Sequence, residues 1–230
     1  MKASAIVTGG SGGLGVAVVE ELLAAGWRVV VPWFHEKELS RLPDEPRLET
    51  VQADLSRPDD AATVVARASA APGAPLQAVV NLVGGFGIGG RVHETAIEEF
   101  ESLVQLNLRP LYLTTQAALP ELIAGGGGSV VCVSSRAAVR PFPGAAGYVT
   151  GKAAVIALAD ALATEYKNDG IRVNTILPGV IDTPGNRASQ PDADYSTWVA
   201  PARIARVVRF LVEDGSDVVS GAHIPVYGAS

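Results

Sequence analysis

Runs of Val, Ile, Leu and Ala recur from one end of this chain to the other, and segments with helical spacing separate most of them. "SAIVTGG", "WRVVVPWF", "RLETVQADLS", "LQAVVNLVGG", "GSVVCVSS", "IRVNTILPG" and "GAHIPVYG" read as strands. "GVAVVEELLAAG" reads as a helix closed by Gly26, and "PDDAATVVARASA" as one that starts near Pro58. Three more helical stretches follow: "AIEEFESLVQLNLRPLYLTTQAALPELIAG" with two prolines, the segment around "YVTGKAAVIALADALA", and "PARIARVVRFLVED". Strands that are apolar on both faces belong inside a parallel sheet covered on two sides. The pattern predicts an α/β fold in which about seven parallel strands carry helices on both faces. With 230 residues, the chain has room for one such domain over 1–230 and little else.

The charge is −6, and the Lys and Arg residues are scattered. That distribution offers no footprint for nucleic acid and no attraction to an anionic membrane. Cys132 is the single cysteine, which excludes an intrachain disulfide and a thiolate metal site. In "GSVVCVSS" it reads as a buried strand residue. The first apolar run stops at Thr8, too short for a signal-peptide core. No uninterrupted apolar run reaches the ~18 residues of a membrane span. A cytoplasmic protein without a metal centre is the expectation.

"IVTGGSGGLGVAVVEEL" sets Gly9, Gly13 and Gly15 between the first strand and the first helix. Glycines there allow a tight turn and a close approach of backbone to a pyrophosphate, and the helix N-terminus adds partial positive charge. Dinucleotide sites of this kind carry an acid roughly 20 residues further on, on the ribose hydroxyls. Here the second strand ends in Pro32, Trp33, Phe34 and His35, with no acid. The choice between NAD and NADP stays open, with His35 and Lys37 as candidates for a 2′-phosphate or as plain loop residues.

"AAGYVTGKAAVIALADALA" places Tyr148 and Lys152 four residues apart on one helical face. That spacing alone arises by chance in many helices. It gains meaning from the rest of the chain, which resembles the short-chain dehydrogenases/reductases over essentially its whole length. "TGGSGGLG" matches that family's cofactor loop, T-G-x-x-x-G-x-G, at Thr8 through Gly15. Asp54 in "QADLS" matches its adenine-holding acid, and "VNLVGG" stands where the family has Asn-Asn-Ala-Gly, with Leu82 and Val83 departing. Asn107 matches the active-site Asn, and Ser135 lies thirteen residues before Tyr148, the family's usual distance. "LPGVIDT" matches the nicotinamide loop P-G-x-x-x-T.

The resemblance implies a Rossmann-type doubly wound sheet and a NAD- or NADP-dependent oxidoreductase acting on a small carbonyl or alcohol. It implies Asn107, Ser135, Tyr148 and Lys152 as catalytic residues. Tyr148 and Lys152 are also expected on the cofactor, with Thr8, Gly9, Ser11, Gly12, Gly13, Leu14 and Gly15 in the loop and Trp33 after it. Asp54, Leu55, Asn81, Val83, Gly84, Pro178, Gly179, Ile181 and Thr183 complete the expected contacts. A homodimer or homotetramer is implied as well.

The chemistry gives the spacing its reason. A carbonyl oxygen must gain a proton as hydride reaches its carbon, and a tyrosine hydroxyl of ordinary pKa about 10 serves once a nearby ammonium lowers it. Lys152 is expected to supply that charge, Ser135 to polarise the substrate oxygen, and Asn107 to hold a water between Lys152 and solvent. As alternatives, Ser134 and Ser135 terminate a strand, and Asn107 caps a kink before Pro110.

The turn-rich segment 182–200, "DTPGNRASQPDADYSTW" onward, reads as an irregular substrate lid. It and the "NLVGGFGIGG" glycines resemble dihydropteridine reductases, which act on a conjugated C=N system. Ser135 and the missing acid after the second strand depart from those enzymes. A cofactor-binding protein without catalysis is the third reading. Within the lid, Arg187 is a partner for a substrate acid or for Asp192 and Asp194, and Tyr195 and Trp198 are further candidates.

Overall fold

The computed structural model describes residues 3–228. One seven-stranded sheet runs through it: β1 (Ser4–Thr8), β2 (Arg28–Trp33), β3 (Leu48–Gln52), β4 (Leu76–Asn81), β5 (Gly128–Val133), β6 (Ile171–Pro178) and β7 (His223–Val226). The order is β3-β2-β1-β4-β5-β6-β7, and every pairing is parallel.

The central strands are apolar throughout because both of their faces are covered. Along β5, Val130 and Cys132 point into one core, while Val131 and Val133 point into the other. The first core lies under α2 (Pro58–Ser69), α3 (Ile97–Ala124) and α4 (Ala146–Glu165). The second lies under α1 (Gly15–Ala24) and α6 (Pro201–Val212). Removing a buried Leu or Ile from such a layer costs about 2–5 kcal/mol, so these strands admit few changes.

One expectation changes, that of an irregular segment at 182–200. The segment with Pro110 and Pro120 is one continuous 28-residue helix, α3. Each proline removes a single intrahelical bond, and packing against α2 and α4 carries the helix through both. The segment 182–200 is more ordered than its composition predicts, with α5 (Pro184–Ser189) and a 3₁₀ turn at Tyr195–Thr197. Helix α4 is long and apolar enough, by length and composition, to cross a membrane. Its place against α3 and β6, with Val155, Ala159 and Leu162 buried, is that of a core helix.

The strand order reverses between β1 and β4, which leaves a crevice beyond their carboxyl ends. The glycine loop after β1 and the glycine-rich segment after β4 flank that crevice. The chain after β5 carries Ser135, and α4 starts close behind it.

Candidate active site

The cofactor end begins where β1 stops. Helix α1 has no side chain capping its N-terminus and no acid in its first turn. Its first N–H groups have no partner within the helix, so the end is open to an anion. Gly13 makes the close approach possible: a methyl group there would lie 2.7 Å from Thr183 Cγ2. The nicotinamide loop and the glycine loop therefore touch through a hydrogen atom. These features fit a dinucleotide pyrophosphate.

Several expected contact residues point inward. Thr8 Oγ1 accepts from the N–H groups of Leu82 (3.1 Å) and Val83 (3.4 Å), tying the end of β4 to β1. Asn81 donates from Nδ2 to Thr115 Oγ1 of α3 at 3.1 Å and is buried. Leu55 is buried in the core. These three side chains hold the walls of the crevice and do not face into it. Asp54 stays at its edge, and the Ser56 hydroxyl and N–H hold its carboxyl below the usual range. The residues that reach the glycine loop from the β2–β3 connection are Glu38 and Arg41, not His35 or Lys37.

The catalytic end is built on β5 and α4. Ser134 donates its hydroxyl to the Lys152 carbonyl at 2.7 Å and so docks α4 onto the strand end. The Ser134 N–H continues the bonding to β6 by donating to the Ile176 carbonyl at 3.0 Å. Ser135 accepts from Ala137 N–H at 3.1 Å, and its hydroxyl is close enough to Tyr148 to act on the phenol. Burial raises the Tyr148 pKa above its ordinary value, and the Ser135 hydroxyl offsets part of the rise.

Lys152 is buried and donates from Nζ to the Val133 carbonyl at 3.0 Å. Burial lowers its pKa to about 8, against the neighbouring Cys132. The expectation that Lys152 depresses the Tyr148 pKa does not hold in this structure, because the amine turns toward the strand and is not among the groups acting on the phenol.

Asn107 completes the set without capping a kink. Its side chain donates to the carbonyls of Gly85 and Leu103 at 2.9 Å each and accepts from Gly85 N–H at 3.2 Å. Asn107 and Lys152 converge on Gly84, where a methyl group would lie 2.7 Å from Asn107 Oδ1 and 2.8 Å from Lys152 Nζ.

Aromatic side chains wall the Tyr148 mouth, each a lone Phe in a loop with no periodicity to mark it. The Phe86 ring stands edge-on to Tyr148 at 5.1 Å between centroids, and Phe142 lies 6.3 Å from Phe86. Phe86 is 62% exposed and Phe142 40%. A backbone bond from Gly89 N–H to the Gly144 carbonyl, 2.8 Å, fixes their two loops against each other.

In the segment 182–200, Arg187 pairs with Asp182 through two bonds of 2.5 and 2.8 Å, and not with Asp192 or Asp194. Its guanidinium lies over the Tyr195 ring at 4.6 Å, and Tyr195 packs on Trp198 at 4.7 Å. Asp194 accepts from Ser196 N–H. Ile181 and Val199 form a parallel bridge that joins the two ends of the segment.

A crevice at a sheet reversal, with Ser135, Tyr148 and a buried Lys152 beside it, is an arrangement that suits an oxidoreductase built on a parallel sheet. The short chain dehydrogenase family model matches residues 3–194, and the chain belongs to that family. The chain is 31% identical to 2-(R)-hydroxypropyl-CoM dehydrogenase of Xanthobacter autotrophicus, covering 100% of this chain and 98% of that one. It is 32% identical to 2,5-dichloro-2,5-cyclohexadiene-1,4-diol dehydrogenase LinX of Sphingobium indicum, covering 97% and 94%. A short-chain type dehydrogenase/reductase from Mycobacterium ulcerans superposes with a TM-score of 0.92 at 28% identity, covering 100% of this chain and 90% of that one. The protein is an oxidoreductase enzyme acting on small molecules.

Proposed function

We propose that this enzyme moves hydride between a nicotinamide dinucleotide and a secondary alcohol or its ketone, with Tyr148 as general acid and base. The observation that carries the reading is the placement of Ser135, whose hydroxyl offsets part of the burial-driven rise in the Tyr148 pKa, at the strand ends near the uncapped N-terminus of α1. The dinucleotide would be held by the glycine loop, α1, Thr183 and Lys152, and it supplies or takes the hydride. Tyr148 delivers the proton to the substrate oxygen in reduction and removes it in oxidation. Ser135 directs that oxygen toward the phenol. Lys152, seated with Asn107 against Gly84, is the nearest store of a replacement proton.

Phe86 and Phe142 favour a substrate with an apolar ring or chain next to its carbonyl. Arg187 is already neutralised by Asp182, which argues against a substrate acid as its partner. The names of the two relatives point the same way, since 2-hydroxypropyl and cyclohexadiene-diol groups both carry secondary alcohols. The segment 182–200 would cover the bound substrate.

Helices α3 and α4 carry a further apolar surface around Tyr112, Ile123 and Leu158, and we assign it to a homodimer contact. Light scattering should return twice the chain mass or a multiple of that.

The test is spectrophotometric. Purified protein is given each reduced dinucleotide with cyclohexanone, acetone, benzaldehyde or quinonoid dihydropterin. Ring ketones should be reduced best, and Tyr148→Phe should lose about 10²–10⁴-fold in turnover while still binding dinucleotide. Undiminished turnover in that variant would overturn the role given to Tyr148, and turnover confined to the dihydropterin would replace the substrate class.

A further inference from the structure

We propose that Glu38 selects the dinucleotide, favouring NAD(H) over NADP(H) by accepting from a free ribose hydroxyl and repelling a 2′-phosphate. The assignment rests on the dinucleotide-dependent reading above. It concerns a residue that lies outside the strand end where such an acid is usually sought.

Strand β2 ends at Trp33, and exposed Phe34 follows, so no carboxylate stands at the strand end itself. The chain then makes a short 3₁₀ segment, Glu36–Arg41. That turn brings two charged side chains back to the glycine loop. The buried hydroxyl of Ser11 donates to Glu38 Oε2 at 3.1 Å. Arg41 Nη1 donates to the Ser11 carbonyl at 3.3 Å and stands 3.8 Å from Glu38 Oε1.

Ser11 is thus held from both ends by the same turn, and its hydroxyl fixes the Glu38 carboxylate beside the loop that would seat the phosphates. An ionised carboxylate offers about four acceptor sites and no donor. One of them is used by Ser11, so others remain for a ribose hydroxyl. A phosphate at that hydroxyl offers only more negative charge, which such a carboxylate opposes.

Arg41 does not reverse the sign of this corner while Glu38 stands against it. The other charges on the turn, Glu36 and Lys37, are exposed neighbours of opposite sign, and His35 packs its ring on Phe34 at 4.9 Å. Glu38→Gln leaves the Arg41 guanidinium facing Ser11 without its carboxylate, which should turn the corner into a phosphate seat.

The experiment is a binding titration that needs no substrate. NADH and NADPH are added to the full-length protein, and nicotinamide fluorescence and melting temperature are followed. The expected Kd for NADH is at least about tenfold below that for NADPH, a difference of about 1.4 kcal/mol. Glu38→Gln should bring the two within about threefold or invert them, and Glu38→Gln with Arg41→Gln should lose the gained NADPH affinity. Wild-type protein that binds NADPH as tightly as NADH, or a ratio unmoved by Glu38→Gln, overturns this assignment alone. Protein that binds neither dinucleotide overturns it together with the proposed function.

Discussion

Lys152 donates its side-chain nitrogen to the carbonyl of Val133, 3.0 Å away on the strand behind it. Its charge is therefore spent on the fold, and burial lowers its pKa from 10.5 to about 8. Below about pH 8 the folded protein carries the full cost of that buried charge, and between about 8 and 10.5 only the unfolded chain still holds the proton. Stability must rise with pH across that window. Relative to Lys152→Met, the wild type should gain up to about 3 kcal/mol from pH 7 to 10. Urea unfolding of the two proteins across that range measures it. Cys132, which burial pushes up to about 12, acts in the opposite sense above pH 9 but is present in both proteins. A flat difference between them would contradict the buried charge.

The two serines at the end of β5 should separate cleanly. Ser134→Ala removes the bond to the Lys152 carbonyl and should cost about 1 kcal/mol of stability with turnover reduced only modestly. Ser135→Ala should leave the melting temperature nearly unchanged and cut kcat by more than tenfold, about 1.4 kcal/mol in the barrier. Parallel melting curves and initial rates test both.

The central strands were readable because residues such as Val130 and Val131 face two covered cores, which forbids polar alternation. The glycine loop and the Tyr148–Lys152 pair were readable because a turn and a helix each fix their spacing locally. Glu38 was not: it sits on a turn with no apolar periodicity, and only the return of the chain to Ser11 gives it a partner. The direction of Lys152 was not readable either. It depends on a strand carbonyl nineteen residues earlier that no local pattern encodes. The partner of Asn81 is in the same position, since spacing places the residue at the crevice but cannot say that its amide turns to Thr115.

Gly84 touches the chemistry only through its neighbours. A methyl group there would crowd both Asn107 Oδ1 and Lys152 Nζ. Gly84→Ala should therefore lower kcat at least about tenfold while the protein stays folded, a change of about 1.4 kcal/mol in the barrier. An unchanged kcat, with circular dichroism matching the wild type, would show that neither side chain needs its present position.

Phe86→Ala should raise KM for cyclohexanone more than for acetone, because the exposed ring beside Tyr148 meets only the larger ketone. A loss of about 1–3 kcal/mol of apolar contact corresponds to roughly 5- to 160-fold in kcat/KM. Equal effects on both ketones would move Phe86 from substrate contact to support of Tyr148.

The bridge between Ile181 and Val199 has one more consequence. It closes the intervening stretch on itself, as a clasp closes a necklace. The cost of closing a loop grows only slowly with its length. Residues between the two ends can therefore be added, removed or exchanged while Pro178 keeps its place on the sheet and Val199 its place in the core. Under the proposed role of that stretch as a cover over substrate, transplanting it would change which substrates fit without disturbing the sheet.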